Sequence, residues 1–160
     1  MTRTRPDGDR FPIDIVDPSR GPTASQAAGL TLAAARAIIA AVEGAARETD
    51  VAVSVAVVDG GDQLVAFERM DGADLVTVTL ARDKAFTALV NRMATRDLGP
   101  ISQPGAEFYG YDSVAGGRTI LFAGGMPLEL DGVLVGALGV SGGDAEQDQR
   151  AADAGVRAFG

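Results

Sequence analysis

The chain has 160 residues, of which 46% are hydrophobic, so it is long enough to bury the core of one domain and too short for two ordinary ones. Twenty-two acidic residues against 14 basic ones give a net charge of −8, which excludes nonspecific binding to nucleic acid or to an anionic membrane surface. The absence of Cys and His excludes disulfides, thiolate nucleophiles, the usual zinc sites, catalytic triads and imidazole-bound heme.

The first 29 residues predict an irregular arm, because they carry four of the seven prolines and few apolar anchors. The alternation of Phe11, Ile13 and Ile15 could add a short edge strand or lay the arm on a neighbouring subunit. Residues 30–160 are expected to form a single domain. No apolar signal core follows the start and no stretch is long enough to span a membrane, which predicts a cytoplasmic protein with no membrane partner.

The first half of the domain predicts a helix, a hairpin and a second helix. An amphipathic stripe indicates a helix over Leu32–Glu48 with Thr31 as its N-cap. Period-two alternation predicts strands over Val51–Asp59 and Gln63–Met70. A second helix follows over Leu75–Arg92, with Asp74 placed to cap it.

The second half predicts a long loop, three strands and a closing helix. Residues 94–118 are rich in Gly and Pro, and this length of loop in a compact domain is typically functional or disordered. A closing helix, Ala145–Phe159, has Asp144 as its N-cap. Grouped antiparallel strands with segregated helices predict an α+β sandwich. The three strands are expected over Thr119–Ala123, Pro127–Leu130 and Val133–Val140, the last two joined by an Asp131-Gly132 hairpin.

Five segments of the chain are distinctive in combination: Val57-Val58-Asp59-Gly60-Gly61, Arg69-Met70-Asp71-Gly72-Ala73, Ala81-Arg82-Asp83-Lys84-Ala85-Phe86-Thr87-Ala88, Gly124-Gly125-Met126-Pro127-Leu128 and Val135-Gly136-Ala137-Leu138-Gly139-Val140-Ser141-Gly142-Gly143. Taken together, they resemble the GlcG/HbpS-like heme-binding family, which also supplies the C-terminal domain of PduO-type corrinoid proteins. The resemblance implies a profilin-like α+β domain with an antiparallel sheet of about five strands, a homo-oligomer, and a site for a small molecule such as heme or corrinoid. Family membership fixes a fold better than a function.

Lys84 is the single lysine of the chain, and its neighbours on the helical stripe are small or apolar. This pattern predicts a semi-buried amine with a lowered pKa. Three roles are open: a structural ion pair with Asp71 or Asp59, an anchor for a ligand carboxylate, or a base or Schiff-base nucleophile.

Arg69, Asp71 and Gly72 lie where the second strand meets the helix that carries Lys84, and such junctions make pockets. Arg69 could clamp a carboxylate through two hydrogen bonds, and Asp71 could act as an acid or base. Alternatively, Asp71 and Gly72 supply a permissive turn and Arg69 is a solvated strand residue.

The glycine pairs Gly124-Gly125 and Gly142-Gly143 could bring bare backbone to a ligand, and the second pair precedes a helix N-terminus that could receive an anion. They could equally be bends or bulges of the sheet. Asp144 and Asp148 stand at i, i+4, as in a metal site, but lack further ligands. A favourable interaction with the helix dipole is the preferred interpretation, and no metal is expected.

Tyr109 and Tyr111, together with Phe108, could close over a planar ligand as a lid or pack the loop onto its own sheet or a partner subunit. The leading hypothesis is a protein that binds a planar acidic molecule, an organic or aromatic acid. No cofactor is required, although Tyr109, Tyr111 or Met70 could hold heme.

Two further hypotheses stay open. One is a cofactor-independent isomerase, lyase or hydrolase acting on an organic acid, with Lys84 or Asp71 moving the proton. The other is a pure assembly module. The predicted site residues are Lys84 and Asp71 for catalysis, and Arg69, Gly72, Tyr109, Tyr111, Gly124, Gly125 and Gly142 for ligand binding.

Overall fold

A computed structural model describes residues 29–160, in which a four-stranded antiparallel sheet is covered by helices on both faces. The arm predicted for residues 1–29 lies outside the described residues except for Gly29. The strands are β1 Ser54–Asp59, β2 Leu64–Arg69, β3 Gly125–Leu130 and β4 Val133–Ser141, in the order β2-β1-β4-β3. The helices are α1 Leu32–Glu48, α2 Val76–Asn91, α3 Thr95–Ile101, α4 Val114–Gly117 and α5 Ala145–Phe159, with a 3-10 turn at Tyr111–Ser113. The α+β class is confirmed, with four strands instead of about five.

The strand predicted over Thr119–Ala123 is wrong, because this segment is anchored by a side chain instead of a neighbouring strand. The Ile120 N–H donates to Thr87 Oγ1 on α2 at 2.9 Å. The chain then turns through Gly124, whose φ is +111°, and only there enters β3. A short apolar run does not make a strand where none of the described segments offers a ladder partner.

The predicted loop of residues 94–118 contains short helices, so the prediction of an irregular loop throughout is wrong. α3 packs closely on the segment before β3: a Cβ on Gly99 would lie 2.7 Å from the Leu121 carbonyl oxygen. Gly and Pro at these positions therefore serve close packing inside a short helix as well as turns.

Helix caps and hairpins mostly follow the sequence. Thr31 caps α1 through a bond from the Ala34 N–H, and Asp144 caps α5 in a reciprocal capping box with Gln147. Asp131 and Gly132 both take positive φ, as a type I′ hairpin requires. The predicted cap of α2 is wrong, because the backbone carbonyl of Asp74, and not its side chain, accepts from Thr77.

The alternation of β1 separates two apolar layers. Val55 and Val57 pack with α1 and α5, whereas Ala56 and Val58 pack with the alanines of α2. The helices α2 and α5 therefore lie on opposite faces of the sheet. Among residues 29–160, no helix is both long and apolar enough to cross a membrane.

Candidate functional site

The only lysine of the chain is fully buried and forms an ion pair with Asp148 of α5. The Lys84 Nζ donates to Asp148 Oδ2 at 2.6 Å and to the Val140 carbonyl oxygen at 2.9 Å. The second carboxylate oxygen of Asp148 accepts from the Gly143 N–H at 2.8 Å. Because α2 and α5 lie on opposite faces, this pair joins the two layers at the point where the chain enters β3.

Aromatic and glycine residues enclose the ammonium group of Lys84. The Phe122 ring lies 4.8 Å from Nζ, and this ring is itself 47% exposed. Gly124 passes so close that a Cβ there would lie 3.0 Å from Nζ. The ammonium therefore contacts a carboxylate, a carbonyl and an aromatic face, which matches its three N–H donors.

Burial shifts the pKa values of both partners toward their neutral forms. Desolvation lowers the pKa of Lys84, and the charge of Asp148 opposes this shift. Desolvation likewise raises the pKa of Asp148, opposed by Lys84 and by backbone N–H groups of residues 142 and 143. The pair therefore holds its charges only as long as the two groups stay together.

The predicted ion-pair partners of Lys84 are wrong, because its acid is Asp148. Asp148 nevertheless lies in the first turn of α5, where the helix-dipole interpretation puts it. Asp59 instead accepts from the N–H groups of Gly61 and Gln63 in the β1–β2 turn. Asp148 turns inward to Lys84, so the i, i+4 pattern with Asp144 brings no metal site. Residues 29–160 hold no group of three or more acidic side chains placed to bind a metal ion.

The structure brings together four of the predicted site residues: Lys84, Gly124, Gly125 and Gly142. Gly125 donates its N–H to Thr95 Oγ1 at 2.9 Å, and a backbone bond from Gly142 reaches Asp148. The glycines thus serve the close approach of backbone to the buried pair. The ion pair is inaccessible to solvent and ligand in this conformation, because Lys84 has no exposed surface.

The structure does not bring Arg69, Asp71 and Gly72 into contact with Lys84. Arg69 pairs with Ser54 across the β1–β2 ladder, and all three residues are exposed. Among the described residues, the side chains of Arg69 and Asp71 form no hydrogen bond and no ion pair. They form a separate, solvent-facing group at the β2–α2 turn.

The two tyrosines behave differently. The Tyr111 hydroxyl donates to Asn91 Oδ1 at 2.6 Å, and its ring meets Phe108 edge-on at 5.9 Å. Tyr109 is 69% exposed, and its hydroxyl bonds to no described residue. Tyr111 therefore fixes its loop onto the end of α2, whereas the Tyr109 side chain is accessible.

An open cleft of about 440 Å³ is lined by α5 together with Arg96 and Ala123. Two consecutive residues of α5 face in different directions: Asp148 faces Lys84, and Gln149 faces the cleft. The Gln149 side chain donates to Asp153 Oδ1 at 2.8 Å and contacts Met126 Sδ at 3.1 Å. The lining comprises Arg96, Ala123, Ala145, Glu146, Gln149, Arg150, Asp153 and Arg157.

The lining of the cleft carries one more cationic than anionic side chain, although the chain is strongly acidic. Three arginines face two carboxylates in its lining, against a net charge of −8 for the whole chain. Arg150 and Arg157 form no ion pair with any described residue, and Arg96 only reaches its neighbour Asp97, at 3.7 Å. Guanidinium groups without partners are the groups that bind carboxylates and phosphates.

Sequence reasoning missed both the partner of Lys84 and the arginines of the cleft. A buried lysine requires an acidic partner, so the sequence indicates that one exists. It does not indicate which acid this is, because Asp148 is 64 residues away from Lys84 in the chain. The arginines of α5 stand at i, i+4 from Glu146 and Asp153, a spacing typical of a solvated, self-paired helix face. Only the structure shows that Arg96 and Ala123 lie beside these residues of α5 and form a cleft with them.

The comparisons with known proteins agree on one family. The family model described as "Haem degrading protein HbpS-like" matches residues 30–157. A 15.0 kDa protein of the dhaT-dhaS intergenic region of Citrobacter freundii is 40% identical over 84% of this chain and 94% of that protein. Corrinoid adenosyltransferase PduO of Salmonella typhimurium is 42% identical over 75% of this chain, which spans only 35% of PduO.

A solved structure supports the same relationship. The crystal structure of a PduOC:heme complex is 37% identical, with a TM-score of 0.78 over 81% of this chain and 94% of that one. Sequence and fold thus point to the same group of proteins. The chain therefore belongs to the HbpS-like family.

Proposed function

We propose that this protein binds a small, planar acidic molecule in the cleft beside α5. The observation that carries the proposal is the excess of arginine over carboxylate in that cleft, with two of its arginines unpaired among the described residues. On a chain of net charge −8, long-range attraction of an anion has to come from such a local positive site.

The size and surroundings of the cleft support a small ligand with a flat part. A volume of about 440 Å³ lies in the range of small-molecule sites, which is ~300–1,000 Å³. Phe122 is half-exposed and directly precedes the lining residue Ala123, so a ring held by the arginines could stack on it. The enzyme hypothesis with Lys84 or Asp71 stays a prediction. Asp71 is already exposed, whereas Lys84 is fully buried with the Phe122 ring against its ammonium group, so its use in catalysis requires a conformational change.

Heme is the second candidate, because a relative with 37% identity was solved as a heme complex. The lining of the cleft does not fit a ligated heme, since it contains no Tyr or Met to hold the iron. Of the predicted iron ligands, Tyr111 is bonded to Asn91, and the Met70 sulfur accepts from the Val53 N–H at 3.5 Å. Tyr109 is the predicted ligand left accessible, and it lies outside the cleft.

The test is isothermal titration calorimetry with naphthalene-2-carboxylate, a planar monoacid, on the full chain. We expect saturable binding that weakens about tenfold or more in a double variant Arg96→Gln, Arg150→Gln, because charge-assisted hydrogen bonds are lost. Arg82→Gln is the matched control: Arg82 is exposed on α2, on the other face of the sheet. Unchanged binding in the double variant would refute the proposal.

A parallel absorption titration with hemin tests the second candidate. A saturable Soret band that is lost in Tyr109→Phe but kept in Tyr111→Phe would place heme at the exposed tyrosine. A band that survives both changes would remove Tyr109 as the iron ligand.

A further inference from the structure

Arg150 and Arg157 of α5, which form no ion pair with a described residue, lie on one stripe of the helix. Arg150 and Arg157 are seven residues apart, which places them two turns or ~10.5 Å apart along the axis and within ~20° of the same direction. Both line the cleft. They therefore offer two separate cationic positions rather than one joint clamp.

Asp153 occupies the stripe between these arginines. Its Oδ1 already accepts from Gln149 Nε2, and its carboxylate also lines the cleft. A single acidic group placed midway, where both arginines could bend to meet it, would lie beside this negative charge. Glu146, one turn before Arg150, disfavours an anion beyond that end of the pair.

We infer that the ligand of this cleft carries two acidic groups separated by about two helical turns, with an uncharged middle that passes Asp153. One acidic group binds Arg157, and the other binds Arg150 with Arg96 from the facing helix. This inference rests on the proposed function and specifies its ligand class.

The test uses calorimetry with three probes: nonanedioate, its monomethyl ester and butanedioate. The ester has nearly the length of nonanedioate but lacks one charge, and butanedioate has both charges but is too short to reach both arginines. We expect nonanedioate to bind at least tenfold more tightly than either. Arg157→Gln should reduce nonanedioate to the affinity of its ester and leave the ester unchanged, while Arg82→Gln changes neither.

Two outcomes separate this inference from the proposed function. Equal binding of nonanedioate and its ester, or retention of naphthalene-2-carboxylate binding with no binding of nonanedioate, overturns the two-group ligand and leaves acid binding standing. Absence of binding of every acid overturns both. Asp153→Asn tests the role of Asp153. It should strengthen binding of the ester and reduce the ratio of the nonanedioate affinity to the ester affinity at least threefold. An unchanged ratio contradicts the role of Asp153.

Discussion

Removing one charge of the Lys84–Asp148 pair should lower the free energy of unfolding far more than removing both charges. The exposed fractions of the two side chains are 0% and 4%, so a charge left alone there has no water to replace its partner. Removal of one partner of such a pair typically costs about 3–5 kcal/mol. We therefore expect Lys84→Met and Asp148→Asn each to lower the free energy of unfolding at pH 7 by about that amount.

The double variant should be much more stable than the sum of the singles predicts. It leaves the Val140 carbonyl without its Lys84 donor, whereas the side-chain amide oxygen introduced by Asp148→Asn can still accept from the Gly143 N–H. One unmade buried hydrogen bond costs about 1–3 kcal/mol, so we expect a total loss of that order and a coupling energy of at least ~3 kcal/mol. Urea unfolding of the four proteins measures the cycle. Additive single losses, or single losses below ~1 kcal/mol, would refute the reasoning.

The pH dependence of the same proteins checks the sign of each pKa shift. Because the pKa of Asp148 is raised, the native state keeps the carboxyl proton at pH values above 3.8, where the unfolded state has lost it. The contribution of Asp148 to the free energy of unfolding therefore falls as the pH rises from 3.8 to the native pKa. The lowered pKa of Lys84 means that its contribution rises with pH between its native value and 10.5. Lys84→Met should remove the pH dependence of stability at alkaline pH and steepen the dependence at acidic pH. The difference in free energy of unfolding between this variant and the unmodified protein should therefore shrink toward low pH. A difference constant with pH would contradict this assignment.

Three smaller predictions follow from the surroundings of the pair. Gly124→Ala should cost about 2–4 kcal/mol in thermal or urea unfolding, since its φ is +111° and a Cβ would press on the Val140 carbonyl and Lys84 Nζ; a loss near zero would show that the backbone can shift there. Tyr111→Phe should cost about 1 kcal/mol through the lost bond to Asn91, whereas Tyr109→Phe should cost nothing measurable, and equal effects would contradict the difference in contacts. The predicted homo-oligomer is tested by sedimentation velocity: a species heavier than 16.3 kDa is expected, and a monomer at micromolar concentration would refute it.

Most of the fold could be predicted because its signals are local. The helix over Leu32–Glu48 has its stripe and cap in the sequence, and the Asp131-Gly132 hairpin and the cap of α5 are set by neighbouring residues. The strand predicted over Thr119–Ala123 is wrong because its apolar run is a local signal, while its anchor, Thr87, is on a helix distant in sequence. A short apolar run does not encode whether a ladder partner is near.

The candidate site was less predictable because its contacts cross the sheet. The isolation of Lys84 on an apolar stripe correctly indicated a buried amine that needs an acid. Neither the apolar stripe nor the residue spacing encodes that Gly124 leaves room for the Lys84 and Asp148 side chains to meet from opposite faces of the sheet. Arg69 and Asp71 looked convergent with Lys84 because they precede its helix, but two turns of α2 separate that junction from Lys84.

The adjacency of Asp148 and Gln149 allows stability and ligand binding to be separated experimentally. Neighbouring residues of a helix point about 100° apart, so one faces the buried pair and the other faces the cleft. Substitution of Lys84 should therefore lower the free energy of unfolding and leave the arginines of the cleft in place. Substitution of Arg150 should weaken ligand binding and change the free energy of unfolding little. Gly124 is the residue common to both, because it lies against Lys84 and its N–H faces Gln149 Oε1 at 3.4 Å. A substitution there should weaken stability and binding together, and a change in only one of them would show that pair and cleft are not joined through this glycine.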